Sequence, residues 1–176
     1  MTPTMTSKTT TMPDSTATGP DKRDYLSRPI IGVGAVVWHG NDVLLIRRGK
    51  SPNKGQWSLP GGAQDLGETL HDAVRREVFE ETGITISEPI LIDTVDLITR
   101  DITGRVQYHY TLIDFLAEAS ETVLSAGGDA ADARWVSQDD LANYHLWDKT
   151  IVMIERARDL RETPLGLPSF LHSGNG

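Results

Sequence analysis

Residues 62–84 read GAQDLGETLHDAVRREVFEETGI, and the placing of the acids in this stretch decides how the rest of the chain is read. Thr69 followed by Asp72 makes a capping-box-like start, and Gly83 before Ile84 supplies a stop, so the spacing predicts a helix from Thr69 to Thr82. At about 100° per residue with Leu70 as zero, Ala73, Val74 and Val78 fall at about minus 60°, plus 40° and plus 80° and define an inward stripe. On that scale Glu77, Glu80 and Glu81 fall at about minus 20°, minus 80° and plus 20°. A solvated acidic run belongs opposite the apolar face. These carboxylates instead continue the buried stripe, beside a helix C-terminus that disfavours negative charge and at spacings that bring like charges together. A cation makes such an arrangement sensible, and oxygen ligands without His or Cys select Mg²⁺ or Mn²⁺ over zinc.

Upstream, Ile30–Trp38 (IIGVGAVVW) and Asp42–Arg48 (DVLLIRR) are β-branched runs joined by His39, Gly40 and Asn41, which predicts a β-hairpin. Downstream, a second strand pair is expected at about 88–99 and 105–118, turning at Thr103 and Gly104. Helical patterns follow Ser137, a cap with Asp140 three residues on, and continue from about Asp148 to Arg161. Strands and helices in this mixed order point to a layered α/β or α+β domain.

The chain has 176 residues, enough for one ordinary domain and too few for two full ones. Residues 1–20 hold eight Thr, two Ser and three Pro but no Val, Ile, Leu or aromatic residue, so a disordered tail is expected over 1–24. Pro164–Gly176 reads as a second tail, leaving a domain over 25–163. With no cysteine, a disulfide framework, a zinc–thiolate site and a thiol nucleophile are excluded. The absence of cysteine, signal peptide and long apolar run fits a soluble, cytoplasmic protein without a membrane partner. A net charge of −8 argues against nucleic acid as a partner.

The quoted stretch fits the Nudix box at every fixed position: Gly62, Glu68, Arg76, Glu77, Val78, Glu80, Glu81, Gly83 and Ile84. The chain thus resembles Nudix hydrolases over about residues 28–160, through Trp57-Ser58-Leu59-Pro60-Gly61 and as far as Arg134-Trp135-Val136. The resemblance implies an α/β fold, an α/β/α sandwich with a mixed β-sheet. It also implies Mg²⁺- or Mn²⁺-dependent hydrolysis of a nucleoside diphosphate linked to another group. Glu77, Glu80, Glu81 and the Gly61 carbonyl look like the metal ligands, and Arg76 and Glu68 like the pair that orients loop and helix together with Gly62. Family members take their base from a box Glu or from an acid on a separate loop. Here Asp129 is favoured, six residues before Trp135, with Asp132 and an ordinary Asx-turn role as alternatives.

Arg47, Arg48, Lys50 and Lys54 are four cations within RRGKSPNK, residues 47–54. Arg47 and Arg48 are the expected phosphate-binding pair, against the alternative of a solvated strand end. Tyr108 and Tyr110 alternate with His109 on a strand, so one face could stack a base or simply pack. Among Nudix groups the resemblance is to bacterial ADP-ribose pyrophosphatase-like proteins, with a small-molecule nucleotide substrate and a homodimer left open. A nucleoside triphosphate pyrophosphohydrolase is the alternative activity, since no proline occurs between Pro89 and Pro164 where several ADP-ribose pyrophosphatases carry one. A non-catalytic nucleotide-sensing Nudix domain is the further alternative.

Overall fold

A computed structural model describes residues 24–51 and 53–163. The expected tails lie outside the described residues, apart from Asp24. Strands β1 (Ile30–His39) and β2 (Asp42–Arg48) form the expected hairpin, one residue tighter than the sequence suggested, and Gly40 takes a left-handed φ of 59° at the turn. β5 (Ile90–Arg100) and β6 (Val106–Glu118) form the second hairpin. Helix α1 covers Leu70–Thr82, with Thr69 Oγ1 accepting from the Asp72 amide and Gly83 closing the helix at φ 73°. After Ser137 the chain makes a 3-10 turn (Gln138–Tyr144) in place of an α-helix, and the Ser137 hydroxyl accepts from Asp139 N–H rather than engaging Asp140. Helix α2 follows over Asp148–Glu162.

Three strands were not legible, two of them short. β3 (Trp57–Ser58) pairs with β2, and β4 (Gly61–Ala63), which reads as a glycine turn, pairs with β1. β7 (Ala130–Ser137) pairs along all of β2, so Asp132 lies on a strand. The sheet order is β3-β2-β1-β6-β5, with β4 on β1 and β7 on β2. β1 and β6 are parallel, in register from Ile30↔Tyr110 to Trp38↔Glu118, and the other pairs are antiparallel, so the sheet is mixed.

β1 and β2 share only two rows, Trp38↔Val43 and His39↔Asp42, and then diverge. Into this fork run Leu59 and Pro60, which carry the chain from β3 on β2 to β4 on β1, and Ala35 N–H donates to the Pro60 carbonyl at 3.0 Å.

Side-chain alternation splits the core. Val33, Ala35, Val37, Leu44, Phe115 and Ala117 meet Ala73, Val74 and Val78 of α1, whereas Val36, Trp38, Val43, Leu45, Val95 and Leu116 meet Met153, Ile154 and Ala157 of α2. Each fully buried aliphatic or aromatic side chain contributes roughly 1.5–3 kcal/mol. The result is the three-layer α/β/α arrangement with a mixed sheet in the middle.

Candidate active site

α1 runs off the end of β4, and the junction collects the acids. Glu81 is buried, 3% exposed, among Ala73, Val74, Val78 and Thr82. Its Oε2 accepts from the Gly61 amide at 2.9 Å. Burial pushes its carboxyl up to about 7; the Gly61 hydrogen bond and the Arg48 charge pull against this, and Glu77 and Asp129 add to it. Glu77 is held against β4, where a Cβ at Gly62 would stand 2.5 Å from its carboxyl carbon. Burial raises its carboxyl too, against the opposing pull of Arg76. Glu80 departs from expectation: its side chain is half exposed rather than part of the buried stripe, 3.5 Å from Arg76. Its angular position lies beyond Ala73, at the edge of the stripe.

Arg76 ties loop to helix. Nε and Nη2 grip Glu68 at 2.8 and 2.9 Å in a bidentate pair, Nη2 also donates to the Ala63 carbonyl at 3.1 Å, and Nη1 donates to Glu77 at 2.8 Å. Glu68 accepts besides from the Asp65 amide at 3.0 Å. The Arg76 hydrogen bonds and that amide hold the Glu68 carboxyl well down, to about 2. Gly61 has no room for a side chain, since a Cβ there would come within 2.8 Å of Gly34 Cα.

The two arginines of β2 part company. Leu44 faces α1 while Val43 and Leu45 face α2, so alternation sends Arg48 to the side of the carboxylates and Arg47 to the other. Accordingly the Arg48 charge bears on Glu81, whereas Arg47 lies 6.0 Å over Trp57 and 3.8 Å from Asp132. Asp132 also accepts from Arg134 at 3.0 Å, which places it in an ion-pair cluster on the far face. Asp129 sits in the turn before β7, paired with Lys50 at 2.5 Å, and its charge bears on Glu77 and Glu81. Packing of Gly127 on the Glu80 carbonyl, 2.7 Å from where a Cβ would be, brings this turn to the end of α1. The sequence reading missed Asp114, a buried carboxyl on β6 pushed up to about 6 by desolvation. Its signal is a lone acid inside the otherwise apolar stretch LIDFLA, residues 112–117.

Among the described residues, no three acidic or imidazole side chains stand together as ligands around one point. Arg76 engages both Glu77 and Glu80, and these would have to turn from it to share an ion with Glu81. The donor set fits a hard dication nonetheless: it offers only oxygens, and among the described residues no cation hydrogen-bonds the buried Glu81 carboxylate.

The NUDIX domain model matches residues 28–157. The chain is 35% identical over 119 residues to the ADP-ribose pyrophosphatase of Methanocaldococcus jannaschii, covering 68% of each protein. It is 31% identical over 128 residues to a putative 8-oxo-dGTP diphosphatase 3 of Mycobacterium tuberculosis, covering 72% of this chain and 57% of that one. The NUDIX domain of Shewanella oneidensis NrtR complexed with ADP ribose superposes with a TM-score of 0.65 at 26% identity, over 77% of this chain and 90% of that one. Box, fold and relatives agree, and the chain belongs to the Nudix hydrolase family.

Proposed function

We propose that the protein is a metal-dependent pyrophosphohydrolase that cleaves a nucleoside diphosphate linked to another group, with ADP-ribose or a related nucleotide sugar as substrate. The observation that carries this reading is Glu81: a buried carboxylate on the Gly61 amide, with Glu77 beside it and the Arg48 charge on the same face. Glu77, Glu80, Glu81 and the Gly61 carbonyl would hold Mg²⁺ or Mn²⁺. When bound, the ion supplies charge neutralisation at the phosphoryl oxygens of the substrate. The Glu68–Arg76 pair fixes the 64–69 loop on α1, so that the Gly61 backbone is positioned before substrate arrives. Arg48 binds a phosphate oxygen of the diphosphate. Asp129, steadied by Lys50, accepts the proton of the attacking water. A diphosphate spans both acidic and basic parts of the site, which a monophosphate ester cannot do. The relative named for 8-oxo-dGTP favours nucleoside triphosphates as the second reading.

Initial rates with ADP-ribose, nucleotide sugars, nucleoside triphosphates and AMP test this, each with Mg²⁺, with Mn²⁺ and with chelator. Hydrolysis of a diphosphate that stops in chelator is expected, and Glu80→Gln and Glu81→Gln should each lower kcat by roughly 10² or more. Comparable kcat/KM for AMP and ADP-ribose would falsify the diphosphate reading, and unchanged turnover in both folded variants would remove the carboxylates from it.

A further inference from the structure

Asp114 lies in mid-strand on β6 with 8% of its surface exposed and, among the described residues, with no hydrogen bond or ion pair. A buried carboxyl with nothing to bind is costly and calls for a partner. The face it looks to follows from alternation: Leu112 and Leu116 of the same row pack on the α2 side, so Asp114 does too, in line with Tyr108 and Tyr110. Among the described residues α2 meets that face at Val36, Trp38 and Leu116, and its Arg156 reaches Asp93, the cross-strand partner of Asp114 on β5. Short of this, residues 106–113 of β6 are half-buried and Gly34 keeps part of its surface exposed.

The register makes the uncovered part a trough. Asp114, Gly34 and Gly61 form one row across β6, β1 and β4, and Leu112, Gly32 and Ala63 form another. Its floor is glycine: the Asp114 carboxylate leans over Gly34, and Leu112 Cδ2 comes within 2.9 Å of where a Cβ on Gly32 would stand. Tyr108 and Tyr110, with ring centroids 6.5 Å apart and planes 28° apart, flank it. At its far side is Gly61, whose amide holds Glu81. Asp114 and Gly61 are two strand spacings apart, roughly 10 Å, the scale of a nucleoside from its 5′-phosphate to its base edge.

We infer that Asp114 reads the nucleobase: over the glycine floor its carboxylate accepts N–H groups from an amino-bearing purine whose ring lies along Tyr108 and Tyr110. The inference rests on the pyrophosphohydrolase reading and names the base of that substrate. A carboxylate has only acceptor oxygens, so it rewards an amino edge and rejects one that presents carbonyls. The tyrosine rings offer apolar area to a purine.

Equilibrium binding in chelator tests this without turnover, using AMP against purine riboside 5′-monophosphate and GMP against IMP, pairs that differ in one exocyclic amino group. In the wild type, AMP or GMP is expected to bind about 10-fold or more tightly than its des-amino partner, the scale of a lost hydrogen bond to a charged group. Asp114→Leu should bring that ratio near one, with Asp114→Asn, which keeps one acceptor, in between. Equal affinities within both pairs in the wild type, no binding of either amino-bearing nucleotide, or a ratio unchanged in the variants would overturn the assignment. If Asp114→Leu does not fold, Asp114→Asn alone decides. Failure of the pyrophosphohydrolase reading shows separately, as a lack of metal-dependent diphosphate turnover.

Discussion

Glu81 is placed where its charge is hardest to keep. In the unfolded chain its carboxyl has the ordinary value of 4.5, and in the fold burial raises it to about 7. The folded state therefore binds the proton more tightly, and what Glu81 contributes to stability is complete below about pH 4.5 and lost as pH rises through 7. Asp114 acts in the same sense between 3.8 and about 6. Glu68, lowered to about 2, runs the other way: its contribution is present above 4.5 and fades only as pH falls toward 2, outside this window. Without metal, Glu81→Gln should therefore melt several degrees above the wild type at pH 7.5, by on the order of 2–3 kcal/mol, with the gap closing at pH 4.5. Thermal melts of both proteins in chelator from pH 4 to 8 check this. A gap independent of pH would mean that desolvation of this carboxylate is not what the substitution relieves.

At the scale of the element, β2 sorts its two arginines by alternation alone. The irregularity opposite Arg47 and Arg48 falls in β7, where Ala131 is skipped, so the alternation of β2 is kept. Arg48→Ala is expected to raise KM for the diphosphate substrate about 10-fold with a smaller change in kcat, as for binding shared by ground and transition states. Arg47→Ala, which loses Asp132 and the Trp57 face, should lower Tm and leave KM within about twofold of the wild type. Steady-state kinetics beside melting separates the two, and equal effects on KM would return both to the phosphate site. The sequence offered Arg47 and Arg48 together because periodicity says that neighbours diverge without saying which one meets α1. Helix α1 was legible from cap to stop, since Thr69, Asp72 and Gly83 act locally. β3 and β4 were not: two and three residues carry no period, and Gly61–Ala63 becomes a strand only because β1 presents an edge to it.

For the whole molecule, the layers follow from two kinds of information. The hairpins and helices are local, and patterning gave them within a few residues. The parallel union of β1 with β6 joins positions some eighty residues apart, and no local signal announces it; the family resemblance supplied the sandwich that periodicity left as α/β or α+β. The site was legible to the same extent. Glu77, Glu81, Arg76 and Glu68 announce themselves by spacing on one helix and its loop, whereas Asp114 depends on a strand that arrives from elsewhere.

The fork between β1 and β2 also limits how the chain can change in length. Leu59 and Pro60 cross it with no slack: Ser58 is fixed to Ile46 on one side, Gly61 to Gly34 on the other, and the Pro60 carbonyl to Ala35 between them. One residue added there would slide β4 along β1 and carry the Gly61 amide off Glu81. The tip of the β5–β6 hairpin, where Ile102 projects fully into solvent, is closed by its own turn, with Thr103 and Arg105 donating to Asp101, and does not bridge two strands as Leu59 and Pro60 do. A single glycine inserted after Leu59 should abolish activity and lower Tm sharply, while the same glycine after Ile102 is absorbed with little loss of either. Insertions and deletions among related sequences are accordingly expected to gather at the hairpin tip and to spare the two residues that hold the fork open.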